Sequence, residues 1–268
     1  MMGKVWFVGA GPGDPELITV KGRHLLARAG AVLFAGSLVD QAATLYAPDG
    51  CTIRDSKDMT LEQITAWLIE QAACHETVVR LQTGDPGLYG ALIEMVRPLD
   101  AAGIKWAVVP GVSSAMAAAA AAGETLTLPE VTQTVIFTRV AGRTPMPPGE
   151  DLEALAAHRT TLCIFLSITL LHEVQRALRA AGWPEDAPLL VVQKASWPGR
   201  EKIVRGTLAD IKRRCQDEKI ATQAMIIASP TLGARHWQDI VRSKLYDPAF
   251  GHRFRRASIT EITEGASS

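Results

Sequence analysis

Short apolar runs alternate with amphipathic stretches along most of the chain. Residues 4–8, containing Val5-Trp6-Phe7-Val8, predict a strand, which the breakers Gly9-Ala10-Gly11-Pro12-Gly13-Asp14-Pro15 end. Residues 16–29 place Leu17, Val20, Leu25 and Leu26 on one helical stripe. Apolar runs at 31–35 and 51–54 predict two further strands. Residues 61–75 carry Leu61, Ile64, Leu68 and Ala72 at helical spacing, with Thr60 placed to cap them. A strand at 77–81 runs into Gln82-Thr83-Gly84-Asp85-Pro86-Gly87. A helix through Leu92, Val96 and Leu99 leads to a strand at 105–109, which stops at Pro110-Gly111, and 113–122 reads as an Ala-rich helix.

Strands alternating with helices in this way imply a mostly parallel sheet covered on both faces. Ligands of such sheets sit beyond the carboxyl ends of the strands. The loops at 9–15, 83–87 and 110–111 each follow a strand, so they should converge on one edge. A second unit starts near residues 134–137. It has predicted helices at 151–158, 170–181 and 208–218, and predicted strands at 161–166, 189–194, 202–206 and 224–228. The breaker-rich loop 142–149 lies inside it. The expected class is α/β, with two α/β domains, the first built on a mostly parallel sheet. The boundary falls near 123–134, giving an N-terminal domain at 1–125, a C-terminal domain at 126–245 and a tail at 246–268.

Composition narrows the setting. The 268 residues, 47% hydrophobic and 21% charged, can bury a core without disulfides or metal staples, which excludes a disordered chain. The 28 Lys+Arg balance 28 Asp+Glu, leaving no excess positive charge to release counterions from a nucleic acid. The one dense basic patch, Arg253-Phe254-Arg255-Arg256, reads as a solvated tail. Met1-Met2-Gly3-Lys4 runs straight into the first strand without the apolar stretch of a secretory signal. The small-apolar run 116–122 is far short of the ~20 residues of a membrane span. Cys51, Cys74, Cys163 and Cys215 are scattered, and no His shares ligand spacing with them. The expectation is a cytoplasmic protein with reduced thiols, no metal, and neither membrane nor nucleic acid as partner.

Gly9-Ala10-Gly11-Pro12-Gly13-Asp14 invites a dinucleotide reading, but that fingerprint needs a third Gly where Asp14 stands. Pro12 also lacks the N–H that a pyrophosphate would seek, and Asp14 would repel it. A nicotinamide oxidoreductase is therefore disfavoured, although the loop suits a cofactor without phosphates. Gly84 lets a ligand approach the backbone, and the Asp85 carboxylate can accept from hydroxyl or ammonium groups or else cap the next helix. Ser113 and Ser114 have the same two readings, as caps or as ligand contacts.

Taken together, the three loops resemble those of the tetrapyrrole methyltransferases, which move a methyl group from S-adenosylmethionine to corrin precursors. The segments that carry the resemblance are Gly9 to Asp14, Gly84-Asp85-Pro86 and Pro110-Gly111-Val112-Ser113-Ser114, and the likeness extends over residues 3 to 230. In the uroporphyrinogen-III branch an Asp ends the second strand, whereas Ala35-Gly36-Ser37-Leu38-Val39 has Gly36 there. That segment is similar to the branch acting on precorrin-4. So are Leu128-Pro129-Glu130-Val131-Thr132-Gln133-Thr134-Val135, Thr138-Arg139, Gly142-Arg143-Thr144-Pro145, Ala195-Ser196-Trp197-Pro198 and Arg205-Gly206-Thr207-Leu208. The branch acting on cobalt-precorrin-4 shares these segments.

The resemblance implies two α/β domains with S-adenosylmethionine in the cleft between them, released as S-adenosylhomocysteine, and a homodimer. It implies cofactor contacts at Pro12, Gly84, Asp85, Leu88, Ser113 and Ser114 from the first domain. From the second it implies Leu166, Ser167, Ala195 and Ala224, with Ser167 standing where many relatives have Met. The small-molecule substrate, a carboxylate-fringed tetrapyrrole, calls for cationic side chains; Lys57, Arg139 and Arg143 are the candidates. Methyl transfer from a sulfonium needs positioning more than a nucleophile, and no Ser-His-Asp elbow is visible. Catalytic residues stay unassigned, with Asp55 and Glu130 as candidate bases. A non-catalytic S-adenosylmethionine-binding or precorrin-carrying protein is the rival from another class, and methylation at another ring position or the protein-modifying diphthine branch is the rival within the family.

Overall fold

The computed structural model describes residues 2–36, 38–39, 41–239 and 243–256. Ser37 and the tail beyond residue 256 thus lie outside the described residues. The first unit follows the predicted alternation: β1 (Lys4–Gly9), α1 (Val20–Leu26), β2 (Ala31–Phe34), β3 (Thr52–Asp55), α2 (Leu61–Cys74), β4 (Thr77–Gln82), α3 (Leu92–Ala101), β5 (Lys105–Val109) and α4 (Ser114–Ala122). The helix expected at 16–29 is shorter. A 3-10 turn at Pro15–Leu17 precedes it, and the Thr19 side chain starts α1 by accepting from the Gly22 N–H. Thr60 caps α2 as expected, in a reciprocal capping box with Gln63.

All pairings in the first sheet are parallel, in the order β3-β2-β4-β1-β5. Its two faces are covered separately. Phe7, Leu33, Trp67, Leu68, Met95 and Leu99 fill one side, and Val8, Leu25, Leu26, Val32 and Leu81 fill the other. Both faces being buried explains why these strands read as unbroken apolar runs rather than alternating ones.

The second unit comprises β6 (Val135–Arg139), α5 (Leu152–Ala156), β7 (Thr161–Phe165), α6 (Leu171–Ala180), β8 (Pro188–Gln193), β9 (Lys202–Thr207), α7 (Ile211–Asp217) and β10 (Ala224–Ala228). Its sheet is mixed, ordered β6-β7-β10-β8-β9. β6 and β7 are parallel, and the other pairings are antiparallel. One face packs against Leu152, Leu171, Val174, Leu178 and Ile211 of α5–α7. The other face is covered by α4, whose Ala115, Ala118 and Ala122 lie on Leu190, Val192, Met225 and Ile227. A helix of methyl groups can lie close to a sheet, so the Ala run at 117–122 is the joint between the units.

Candidate functional site

Three loops at the carboxyl ends of β1, β4 and β5 are knitted backbone to backbone. The Gly84 N–H donates to the Gly11 carbonyl at 2.8 Å, and the Ala10 N–H to the Gln82 carbonyl at 2.7 Å. The Asp85 carboxylate joins the third loop: Oδ2 accepts from the Gly111 N–H at 2.9 Å and Oδ1 from the Gly87 N–H at 2.7 Å. A Cβ on either Gly9 or Gly111 would collide with the other's backbone and with the Gly84 carbonyl, so both positions exclude a side chain. Asp85 does not cap the following helix. α3 begins at Leu92 behind Ala91, which has no side-chain cap bond. Ser113 does cap α4, its Oγ accepting from the Ala115 N–H at 3.3 Å.

The second unit closes on these loops. The Trp197 indole N–H donates to the Pro12 carbonyl at 2.9 Å, and the Asp14 N–H donates to Ser196 Oγ at 3.1 Å. The Trp197 ring occupies the space that a side chain at Gly13 would need. Tyr89, from the first unit, packs on Phe165 of β7 with ring centroids 5.3 Å apart. Burial raises the Tyr89 phenol pKa; the Arg139 charge lowers it, and Glu150 raises it further.

Between the two walls lies a cavity of about 650 Å³, within the range of small-molecule sites. Pro12, Gly84, Asp85, Leu88, Ser113, Ser114, Leu166, Ala195 and Ala224 all line it. Ser167 does not. It is fully buried, its Oγ donating to the Phe165 carbonyl at 2.7 Å and accepting from the Val140 N–H at 2.9 Å. The lining also includes Tyr89, Phe165, Lys194, Gln223 and Met225, which sequence reasoning did not single out, and Trp197, which it quoted only within Ala195-Ser196-Trp197-Pro198. Four lining residues other than glycine have left-handed backbone: Tyr89 at φ 56°, Leu166 at 54°, Lys194 at 49° and Gln223 at 51°. Each costs about 1–2 kcal/mol locally, strain of the kind that gathers at binding sites.

The cationic candidates lie elsewhere. Lys57, Arg139 and Arg143 are not among the cavity's lining. The Arg139 guanidinium donates to the carbonyls of Val140, Thr144 and Pro145, so it shapes the loop that carries Arg143. Lys57 Nζ stands 3.9 Å from Asp55 Oδ2. Glu130, at φ 62°, is exposed and faces Lys244 at 3.9 Å. Among the described residues, no three His, Cys, Asp or Glu side chains group as metal ligands would. No helix among them is long and apolar enough to cross a membrane.

The profile of the family Tetrapyrrole (Corrin/Porphyrin) Methylases matches residues 4–212. The chain belongs to this family. It is 45% identical over 258 residues to a cobalt-precorrin-4 C(11)-methyltransferase of Priestia megaterium, covering 96% of this chain and 100% of that protein. It is also 45% identical to a precorrin-4 C(11)-methyltransferase of Mycobacterium tuberculosis, over 93% of this chain and 98% of the relative. A solved cobalt precorrin-4 methyltransferase superposes with a TM-score of 0.82 at 46% identity, over 84% of this chain and 94% of its own. A uroporphyrin-III C-methyltransferase from Thermus thermophilus, solved with S-adenosylhomocysteine, gives 0.70 at 30% identity, over 87% and 100%. As a tetrapyrrole methylase, this chain is a methyltransferase with two α/β units, and its left-handed Leu166 and Lys194 sit on the wall opposite the glycine loops.

Proposed function

We propose that this tetrapyrrole methylase moves the methyl group of S-adenosylmethionine to C-11 of precorrin-4, giving precorrin-5 in cobalamin biosynthesis. Identity of 45% over nearly the whole length of two C(11)-methyltransferases is the observation that carries the reading. The cavity suits the donor: its glycine backbones accept close approach, its hydroxyls and carbonyls can bond an amino-acid end, and its apolar lining can hold a purine. Pro12, Gly84, Asp85, Leu88, Ser113, Ser114, Leu166, Ala195 and Ala224 would hold it. When bound, S-adenosylmethionine supplies an electrophilic methyl on a sulfonium whose leaving group is a neutral thioether.

The chain's own residues orient and dry the site. The Gly9, Gly84 and Gly111 loops fix one wall, and Trp197 ties the other wall to it through the Pro12 carbonyl. Tyr89 packs on Phe165 from the facing unit, adding an aromatic contact to the cavity lining. Orientation of this kind can supply about 7–11 kcal/mol of the barrier. Lys57, Arg139 and Arg143 would meet the substrate's carboxylates outside the donor cavity. Working as a cytoplasmic homodimer follows the family resemblance.

The cobalt-bearing substrate is the second reading, favoured by the equally similar relative of that name. The test is to incubate purified protein anaerobically with precorrin-4 and methyl-labelled S-adenosylmethionine, then locate the label by NMR. One new methyl at C-11 is expected. Tight binding of the donor with no S-adenosylhomocysteine formed would instead indicate a carrier. Turnover of cobalt-precorrin-4 alone would assign the second reading.

A further inference from the structure

The carboxyl end of β3 holds a carboxylate built into the sheet edge and left with open acceptor capacity. Asp55 Oδ1 accepts from the Gly36 N–H at 2.8 Å and from the Lys57 N–H at 2.9 Å. Among the described residues its Oδ2 faces the Lys57 ammonium, at 3.9 Å, and the side chain is 29% exposed. Position 36 makes room for it: a Cβ there would overlap the Asp55 carboxylate, so only glycine is compatible with this placement. Near it is Arg80 of β4, a buried cation whose Nη1 donates to Ser56 Oγ at 2.8 Å and whose Nε has no partner among the described residues. Burial draws the Arg80 pKa down to about 10, and the charge of Asp55 opposes that fall. A buried cation with an unpartnered donor is costly to the fold, and its charge complements a carboxylate at the sheet edge.

The turn after β2 has Asp55 against Gly36 and the donor cavity against Leu38, two residues on. β3 and β4 are separated by one strand in the sheet, so Asp55 stands about 10 Å along the edge from the β4 loop that lines the cavity. A tetrapyrrole offers carboxylates at its fringe and ring N–H groups at its centre. An anion in a trough for a polyanion would repel the fringe, but it can accept from the ring N–H groups.

We propose that Asp55 is a substrate-binding carboxylate of this enzyme, its Oδ2 accepting hydrogen bonds from ring N–H groups of the tetrapyrrole. In this arrangement Gly36 and Arg80 are positioning residues, and Lys57 takes a fringe carboxylate beside it. The assignment rests on the tetrapyrrole reading above.

Asp55→Asn is the direct test, because the amide oxygen can keep both backbone bonds while an NH2 donor replaces the charged Oδ2 acceptor. Gly36→Ala is the second, displacing the carboxylate without altering it. Precorrin-4 is titrated onto each protein anaerobically by absorbance, S-adenosylhomocysteine binding is measured by calorimetry, and KM and kcat are determined separately. A lost hydrogen bond to a charged group predicts roughly 10–100-fold weaker tetrapyrrole binding for both variants. S-adenosylhomocysteine affinity should stay at the wild-type value, while the Tm of Asp55→Asn falls because the buried Arg80 loses the charge that faces it. Unchanged tetrapyrrole binding by Asp55→Asn, or an equal loss for both ligands, overturns the assignment of Asp55. A wild-type protein that neither binds nor methylates precorrin-4 overturns the underlying reading instead.

Discussion

On the first wall of the cleft, Gly9, Gly84 and Gly111 bring three backbones together with no side chain between them. On the second wall, Leu166 and Lys194 adopt left-handed backbone while keeping their side chains, and Leu166 is 61% exposed. The first wall therefore achieves its shape mainly by omission, on the ends of parallel strands, with left-handed backbone among its lining side chains at Tyr89. The second stores strain at the ends of β7 and β8, in a mixed sheet whose core supports the distortion. The contrast teaches that one site can be made by close approach on one side and by forced conformation on the other. Substitutions should then affect the two walls with opposite signs.

The largest effect is expected from Gly111→Ala, whose Cβ would enter the Gly84 carbonyl and the Gly9 backbone. Overpacking of this kind costs about 1–3 kcal/mol or more. Denaturant unfolding should show that loss, together with sharply weakened S-adenosylhomocysteine binding. A stable, fully binding variant would mean that the loops can part.

Next comes Asp85→Ala, which strips the acceptor from two backbone N–H groups. Because the carboxylate ties loop to loop, stability and S-adenosylhomocysteine affinity should fall together, by about 1.5–3 kcal/mol for the charged bonds. Affinity lost at unchanged Tm would show instead that Asp85 serves the ligand alone.

The sheet behind the second wall gives a pH test. Burial pushes the Cys163 thiol from 9.0 up to about 12. Between those values the unfolded chain loses this proton while the folded one keeps it, so stability falls as pH rises. At pH 10 the loss amounts to about 1.4 kcal/mol, one pH unit above the unfolded value. Cys163→Ala should lessen the fall over pH 9–12 in denaturant titrations, leaving the part due to the Cys215 thiol, which burial raises to about 11, and an unchanged slope would contradict the burial argument.

Leu166→Gly reverses the sign found on the first wall. Relief of left-handed strain should stabilise the fold by about 0.5–1 kcal/mol after the entropy cost of glycine. The loss of a lining side chain should weaken S-adenosylhomocysteine binding. Unfolding and calorimetry on the same variant check both signs. The smallest effect is expected at Arg143, exposed on the loop that Arg139 shapes. Arg143→Ala should raise KM for the tetrapyrrole up to about fivefold, as surface ion pairs contribute about 0–1 kcal/mol, and less at high salt. An equal rise in KM for S-adenosylmethionine would place that loop in the donor site.

The first wall was legible in the sequence because its signals are local. Breakers directly after apolar runs mark strand ends, and parallel alternation sends those ends to one edge. The second wall was legible only in part. Nothing in their residue types announces the left-handed states of Leu166 and Lys194 there, or of Tyr89 on the first wall. Ser167 follows β7 as expected, yet its hydroxyl turns inward to the Phe165 carbonyl two residues back and to the Val140 N–H just after β6. The same holds for α4, whose alanines spelled a close-packing helix without naming the sheet they would meet. Asp55 was visible as a carboxylate near a strand end, but its fit into the space at Gly36 depends on the β2–β3 register.

The central claim is that the cleft between the parallel and the mixed sheet is the methyl-donor site. Its most direct test is calorimetric titration of the wild-type protein, Gly111→Ala and Leu166→Gly with S-adenosylhomocysteine, in the presence of a chelator. Saturable binding at one ligand per chain is expected for the wild type, with weakening in both variants, one less stable and the other more stable than the wild type. No binding by the wild type, or binding untouched by both substitutions, would contradict it.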